Sequence, residues 1–235
     1  MNPSITSSGP TNGEALLTMN GKSTINNTLR RVLLGCGIIS SLLYVAMNII
    51  GAMFFEGYSS VSQTVSELSA IGAPSRALWV PLGVLYSLLM VAFGWGVRQS
   101  ASNNRPLRVV GALFVAFGLI GLYWPPMHLR GMVFSLTDAM HIVYAIITIL
   151  LMMLAIGFGT VAFGKYFRFY SIATLVIFFI FGTLTGMDGP RIAANLSTPW
   201  VGVWERINIG AFLLWVIILA TILLRKGKFA VTETR

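Results

Sequence analysis

Six apolar runs without a charged side chain constrain the fold of this 235-residue chain more than any other feature. Each run is about 18 to 25 residues long, and an α-helix of that length crosses a hydrocarbon core of about 30 Å. Because lipid offers the backbone no hydrogen-bonding partner, such runs are helical. The sequence therefore predicts an all-α, polytopic membrane bundle of six transmembrane helices. The predicted spans cover residues 32–55, 77–97, 109–127, 139–163, 169–187 and 207–224.

Composition excludes the soluble alternatives and sets the predicted domain organisation. Charged residues make up 10% of the chain and apolar residues 56%, whereas about a quarter of an ordinary soluble domain is charged. This balance excludes an ordinary soluble enzyme, a disordered chain and a fibrous protein. Residues 1–28 are polar without periodicity and predict a disordered cytoplasmic tail, residues 29–228 form the transmembrane domain, and 229–235 form a second cytoplasmic tail.

The positive charges divide unequally between the two sides of the predicted membrane. The side that receives both termini and the loops 98–108 and 164–168 carries twelve of the 16 Lys and Arg residues, including every lysine. Cytoplasmic loops carry this excess, so both termini are predicted to be cytoplasmic, in the cell inner (plasma) membrane. The net charge of +9 is therefore a topology signal, and nucleic acid is not expected as a partner. The outer arginines are Arg76, Arg130, Arg191 and Arg206.

Polar residues concentrate at the outer ends of the spans. Span 4 carries Asp138, His141 and Tyr144 over its first two turns, and three more outer span ends also turn polar. Polar groups at such depth avoid lipid and face the bundle or water. We therefore expect a polar-mouthed cavity that opens to the extracytoplasmic side. Five of the seven acids and both histidines lie on this side: Glu56, Glu67, Asp138, Asp188, Glu205, His128 and His141.

The first outer loop, residues 56–76, has apolar residues at helical spacing, namely Val61, Val65 and Leu68. This spacing predicts a short amphipathic helix that lies in the outer interface. Two interpretations stay open for it. The helix is either a lid that seals the bundle or an element that presents Ser66 and Glu67 to a site.

The first functional hypothesis is a lipid-handling protein whose cavity binds a lipid headgroup or a small amphiphile, with membrane lipids as partners. One of Arg76, Arg191 and Arg206 would meet an anionic group, and Trp204 lies at headgroup level. The candidate ligand-binding residues are Ser66, Glu67, Arg76, Tyr144, Asp188, Arg191, Trp204, Glu205, Arg206 and Asn208.

The alternative is an intramembrane metal-dependent hydrolase. Two histidines with carboxylates match a catalytic zinc shell, so His128, Asp138, His141 and Asp188 are the candidate ligands. The candidate catalytic residues are His141, Asp138, His128 and Glu67. No metal-binding motif of regular spacing occurs, and therefore no cofactor is predicted, with zinc as the alternative.

Structural roles also account for the candidate metal ligands, and a third hypothesis needs no site. Asp138 follows Ser135 at the spacing of a capping box, and His141 is suited to packing through a hydrogen bond. The third hypothesis is a scaffold or subunit of a membrane complex, or a homodimer, formed through small-residue faces such as Gly182 and Gly186.

Several outer motifs resemble a bacterial membrane family catalogued as domain of unknown function 998. These are Gln63-Thr64-Val65-Ser66-Glu67-Leu68, Gly72-Ala73-Pro74, Pro126-Met127-His128, Thr137-Asp138-Ala139-Met140-His141 and Trp204-Glu205-Arg206-Ile207. The resemblance covers residues 30–225 and implies a six-span inner-membrane protein without supplying an activity. The loop Val65–Pro74 is also distantly similar to the damage-regulated autophagy modulator group, which is linked to lipid homeostasis.

Overall fold

The computed structural model of this chain describes the backbone of residues 12–232 and the side chains of residues 26–226. This part of the chain is helical, and its β pairing is an isolated bridge between Ile71 and His128. A short 3-10 helix, Val65–Ser69, lies between α1 and α2. The α-helices are α1 (Asn12–Met53), α2 (Arg76–Gln99), α3 (Arg105–Gly121), α4 (Leu136–Ala162), α5 (Lys165–Met187), α6 (Gly189–Ala193) and α7 (Val201–Thr232).

The helices confirm a membrane-type, all-helical bundle. Within the described residues, five helical segments are long and apolar enough to cross a membrane: 26–53, 76–99, 136–162, 165–193 and 201–226. The remaining predicted span falls on α3, whose 17 residues correspond to about 25 Å of helix. Helix α1 begins at Asn12, whereas residues 1–11 and 233–235 lie outside the described residues. The two predicted tails therefore stay predictions.

The six long helices pack in a ring. Each of α1, α2, α3, α4, α5 and α7 contacts the next in that order, and α7 contacts α1. At one end, which we call the turn end, the side chain of Asn104 donates to the carbonyl of Ala162 at 2.8 Å. This bond brings the α2–α3 and α4–α5 linkers together. The opposite end, the loop end, carries the longer segments 54–75, 122–135 and 188–200.

Aromatic side chains fill the centre of the ring toward the turn end. Trp215 is fully buried and lies with ring centroids 6.1 Å from Phe114 and 5.5 Å from Phe167. Its indole N–H donates to the hydroxyl of Ser171 at 2.9 Å, so its polar atom is satisfied. A six-helix ring leaves more central space than two packed helices do. Large aromatic rings occupy that space here, and the indole donor of Trp215 is paired.

Glycines bring α2 and α3 into close contact. A Cβ atom on Gly94 would lie 2.7 Å from the carbonyl oxygen of Gly111, and one on Gly118 would lie 2.7 Å from that of Ser87. Gly159 likewise faces Trp215 inside the bundle. Small residues of this kind let helix backbones approach without a hydrophobic driving force.

Replacing Gly111 by Ala is expected to destabilise the bundle. The added Cβ would lie 2.7 Å from the backbone of both Gly94 and Arg98, and such overpacking costs about 1–3 kcal/mol. Gly157→Ala in α4 is the matched control, since nothing lies within 4 Å of its Cβ position. Unfolding of both variants in mixed detergent micelles measures the difference. Equal stability of the two variants would contradict the close α2–α3 packing.

Candidate functional site

A buried ion pair joins two loops at the loop end. Glu67, in the 3-10 helix, is fully buried, and Arg130 approaches it from the α3–α4 segment. The Arg130 Nε donates to Glu67 Oε1 at 2.7 Å and its Nη2 donates to Oε2 at 3.1 Å. The other contacts of Arg130 go to the Thr198 hydroxyl at 2.7 Å and the Ser62 carbonyl at 3.0 Å. One guanidinium thus fastens three chain segments together.

The Glu67 carboxylate is also a helix cap. Its Oε2 accepts the backbone N–H of Thr64 at 2.6 Å and the Thr64 hydroxyl at 3.0 Å. Thr64-Val65-Ser66-Glu67 has the spacing of a capping box, which is a sequence signal for this role. Arg130 has no comparable local signal, and the sequence analysis places it only among the outer arginines. Since both oxygens of Glu67 are occupied, this candidate catalytic residue holds the loop in place.

Two neighbouring residues of α7 hold the same loop. Glu205 accepts the backbone N–H of Val65 at 2.6 Å. Arg206 donates to the carbonyls of Ser60 at 2.8 Å and Gln63 at 3.2 Å, and to the Tyr58 hydroxyl at 2.6 Å. Burial raises the pKa of Tyr58 to about 12. The phenol therefore stays protonated and donates to the carbonyl of Thr64 at 2.8 Å. We call residues 58–76, which these contacts fix, the roof.

The predicted amphipathic helix in this loop is not confirmed. The helical part of the roof is the five-residue 3-10 helix, in which Val65, Glu67, Leu68 and Ser69 are all buried. An interfacial helix would direct its polar face to solvent. Here the carboxylate of Glu67 instead points inward to Arg130, so the segment is buried on its polar side as well.

A cavity of about 200 Å³ lies beneath the roof, inside the loop-end half of the ring. Its walls are aromatic: the Tyr44 ring is 4.9 Å from Tyr86 and 6.0 Å from Trp79, and the Phe117 ring is 5.6 Å from Phe212. Ser66, Ser69 and Arg76 supply polar atoms at the top. The other lining residues are Met47, Val65, Val80, Gly83, Val84, Ser87, Gly121, Leu122, Trp124, Pro126, Thr148, Met152, Ile209 and Leu213.

Arg76 is the cation of this cavity. It is half-buried, and its guanidinium donates to the carbonyl of Ser69 in the roof. Within the described part of the chain, no carboxylate lies within ion-pair distance of it. Arg130 and Arg191, by contrast, face Glu67 and Asp188. An unneutralised guanidinium above an apolar cavity attracts an anionic group.

The other predicted ligand-binding residues do not line the cavity. Arg191 is 3.8 Å from Asp188 and donates to the Ser197 carbonyl. Trp204 packs on Trp200 and Phe181 with ring centroids 6.2 and 5.7 Å apart. The remaining members of this set are Glu67, Tyr144, Glu205, Arg206 and Asn208. Ser66 and Arg76 are the members that reach the cavity.

The two histidines at the loop end contact nearby carboxylate and carbonyl groups. The His128 Nδ1 is 2.9 Å from Asp138 Oδ2, and the backbone N–H of His128 donates to Oδ1 at 2.7 Å. Asp138 also caps α4 by accepting the backbone N–H of Ser135 at 2.8 Å. His141 contacts the Pro125 carbonyl at 2.8 Å. Among the described residues, no three His, Cys, Asp or Glu side chains converge in a metal-type group.

A family model described as "Protein of unknown function (DUF998)" matches residues 38–222, which include the roof and the cavity. No curated protein and no solved structure matches the chain. The resemblance of the outer motifs to this family is thus confirmed. The distant similarity of the Val65–Pro74 loop to the autophagy modulator group stays a prediction.

Replacing Glu67 by Gln is expected to destabilise the fold strongly. The neutral amide leaves Arg130 buried without its counter-charge, and breaking a buried pair costs about 3–5 kcal/mol. Asp188→Asn is the matched control, because its pair with Arg191 is long and the arginine side chain is 51% exposed. An exposed pair contributes about 0–1 kcal/mol. Unfolding in detergent compares the two, and a Glu67 effect as small as that of Asp188 would contradict the anchoring role.

Proposed function

We propose a function for this chain, which belongs to the family of proteins of unknown function DUF998, from the geometry of its own cavity. The cavity binds an anionic amphiphile, with the negative group at Arg76 and the apolar part among the aromatic walls. One observation carries this proposal. The half-buried Arg76 guanidinium lines an apolar cavity, and within the described residues no carboxylate pairs with it.

The energetics of the cavity favour a ligand that carries both an anionic group and an apolar chain. The half-buried Arg76 guanidinium has lost part of its hydration without gaining a counter-charge, so a carboxylate or phosphate beside it is favoured. Arg binds such groups through charge-assisted hydrogen bonds. Below it, Trp79, Tyr86 and Phe117 offer apolar surface to a hydrocarbon chain. Ligand sites are typically apolar with a few well-placed polar groups, which matches this arrangement.

Hydrolysis has less support than binding. Both oxygens of Glu67 bind Arg130 and Thr64, and both oxygens of Asp138 bind His128 and Ser135. These carboxylates therefore serve as caps and anchors. A general acid or base needs a free position toward its substrate, and the cavity lining contains neither carboxylate.

In this proposal six helices cross the plasma membrane, both termini are cytoplasmic and the cavity lies at the extracytoplasmic end. The course of α3 supports the sixth crossing, since it runs from the turn end to the loop end beside α2 and α4. The charge pattern supports the orientation. Among residues 26–226, whose side chains are described, both lysines lie at the turn end and the five acids lie at the loop end. Lysine and arginine are enriched in cytoplasmic loops.

Cysteine labelling in intact cells tests this topology. In a Cys36→Ser background, Glu56→Cys and Met132→Cys are expected to react with a membrane-impermeant maleimide, because both positions are exposed at the loop end. Asn103→Cys, exposed at the turn end, is expected to react only after lysis. Equal labelling of Asn103→Cys and Met132→Cys in intact cells would contradict a crossing by α3, and a reversed pattern would contradict the orientation.

Native mass spectrometry of the mildly purified protein tests ligand binding. We expect a retained anionic amphiphile whose occupancy falls about tenfold or more in Arg76→Gln, since hydrogen bonds to charged groups contribute about 1.5–3 kcal/mol. Arg191→Gln removes the same charge from an exposed site outside the cavity and is expected to retain wild-type occupancy. Wild-type protein without a retained amphiphile in several mild detergents, or an equal loss in both variants, would refute the proposal.

A further inference from the structure

We infer that the cavity opens sideways into the bilayer between α2 and α3, and that its occupant is an anionic phospholipid of the leaflet at the loop end. This inference rests on the proposed function, which places an anionic amphiphile in the cavity. It adds the class of ligand and the route by which the ligand enters.

The roof closes the cavity toward water. The ion pair of Glu67 with Arg130, the Glu205 bond to Val65 and the Arg206 bonds to Ser60 and Gln63 all fix it. Of the roof residues that line the cavity, Val65 is 2% exposed and Ser69 is 6% exposed, whereas Ser66 and Arg76 are half-buried. A segment held by so many charge-assisted bonds does not open easily, so an aqueous entrance through the roof is disfavoured.

The wall between α2 and α3, in contrast to the tightly bonded roof, is apolar and partly exposed. Three apolar residues that line the cavity are also exposed on the outer surface of the bundle: Val80 by 42%, Val84 by 37% and Leu122 by 38%. In a membrane this outer surface faces hydrocarbon. A side chain that contacts both the cavity and the lipid marks a continuous apolar path between them.

The two helices separate here for a sequence reason. Their close contacts extend from Gly94 and Gly111 to Gly118 and Gly121, which both face Ser87. Helix α3 then ends at Gly121, whereas α2 continues for about three more turns to Arg76. Pro81 lies in this part of α2 and has no N–H to bond the preceding turn. Beyond Gly121 the wall beside it is formed by the non-helical segment after α3, of which Leu122, Trp124 and Pro126 line the cavity.

The residues along the opening match the layout of a phospholipid. Arg76, Val80 and Val84 follow one another at four-residue spacing, so they form a stripe on one face of α2. The cation lies at the loop end, where a headgroup phosphate belongs, and the apolar residues lie deeper, where an acyl chain runs. A soluble anion without a hydrocarbon chain would contact Arg76 but not the deeper apolar residues Val80 and Val84.

Tryptophan quenching tests the route with the full chain in vesicles of phosphatidylglycerol whose acyl chains carry bromine, a contact quencher. Trp79 is 8% exposed and lines the cavity, whereas Trp215 is fully buried in the packed core. The difference in emission between the wild type and Trp79→Phe gives the signal of Trp79. The difference between the wild type and Trp215→Phe gives the signal of Trp215. We expect the lipid to quench at least roughly half of the Trp79 signal, because pockets of this type enclose most of a ligand, and to leave Trp215 unchanged. Iodide in the water is expected to quench neither.

A matched pair of variants tests the position of the opening. Val84→Phe enlarges a side chain at the opening and is expected to abolish lipid quenching of Trp79. Leu88→Phe, one turn along the same stripe, is 51% exposed but does not line the cavity, and it is expected to retain the quenching. Equal effects of both variants would overturn the position of the opening.

The remaining outcomes separate this inference from the proposed function. Quenching of Trp79 by iodide in place of the brominated lipid would overturn the lateral route, and so would quenching of Trp79 by neither agent. If an amphiphile sensitive to Arg76→Gln is nonetheless retained in native mass spectrometry, the proposed function stands and only the bilayer route fails. If no such amphiphile is retained, the proposed function fails as well.

Discussion

The buried pair of Glu67 and Arg130 determines the loop end of this protein. Neither charge is tolerable alone at that depth, so the two loops that carry them are held together whenever the protein is folded. The same guanidinium reaches Ser62 and Thr198, and the same carboxylate caps the 3-10 helix. A fixed roof is the consequence, and a fixed roof leaves the side of the bundle as the available entrance to the space below.

The cavity follows from the ring of helices and from the unequal lengths of its members. Toward the turn end, Trp215, Phe114 and Phe167 fill the centre of the ring. Toward the loop end, α3 ends at Gly121 while α2 continues to Arg76, and side chains alone do not fill the space that remains. The glycines that hold α2 and α3 together thus also set the lower edge of the opening between them.

Hydropathy predicts most of the fold because lipid requires every span to be an apolar helix that is long enough to cross the hydrocarbon core. The predicted spans at 77–97 and 139–163 agree with α2 and α4 within a few residues. The roof was harder to predict, because its geometry depends on Arg130, a residue 63 positions from Glu67 along the chain. The capping box at Thr64 is a local signal, but a partner supplied by another loop leaves no local pattern. The amphipathic spacing of Val61, Val65 and Leu68 therefore predicts an interfacial helix, whereas tertiary contacts select a 3-10 helix there.

At the candidate site, counting the charges in the sequence likewise does not predict which acids and arginines pair. Five acids and four arginines lie at the loop end, which suggests near-complete mutual pairing. The acids, however, divide between different tasks: Glu205 bonds a backbone N–H and Asp138 bonds His128 and Ser135. Because these carboxylates serve as caps, fewer remain for the arginines, and Arg76 is directed to a roof carbonyl at the edge of the cavity. A positive charge thus persists beside an apolar space although the loop end as a whole is nearly neutral, and this local imbalance favours an anionic lipid over a neutral one.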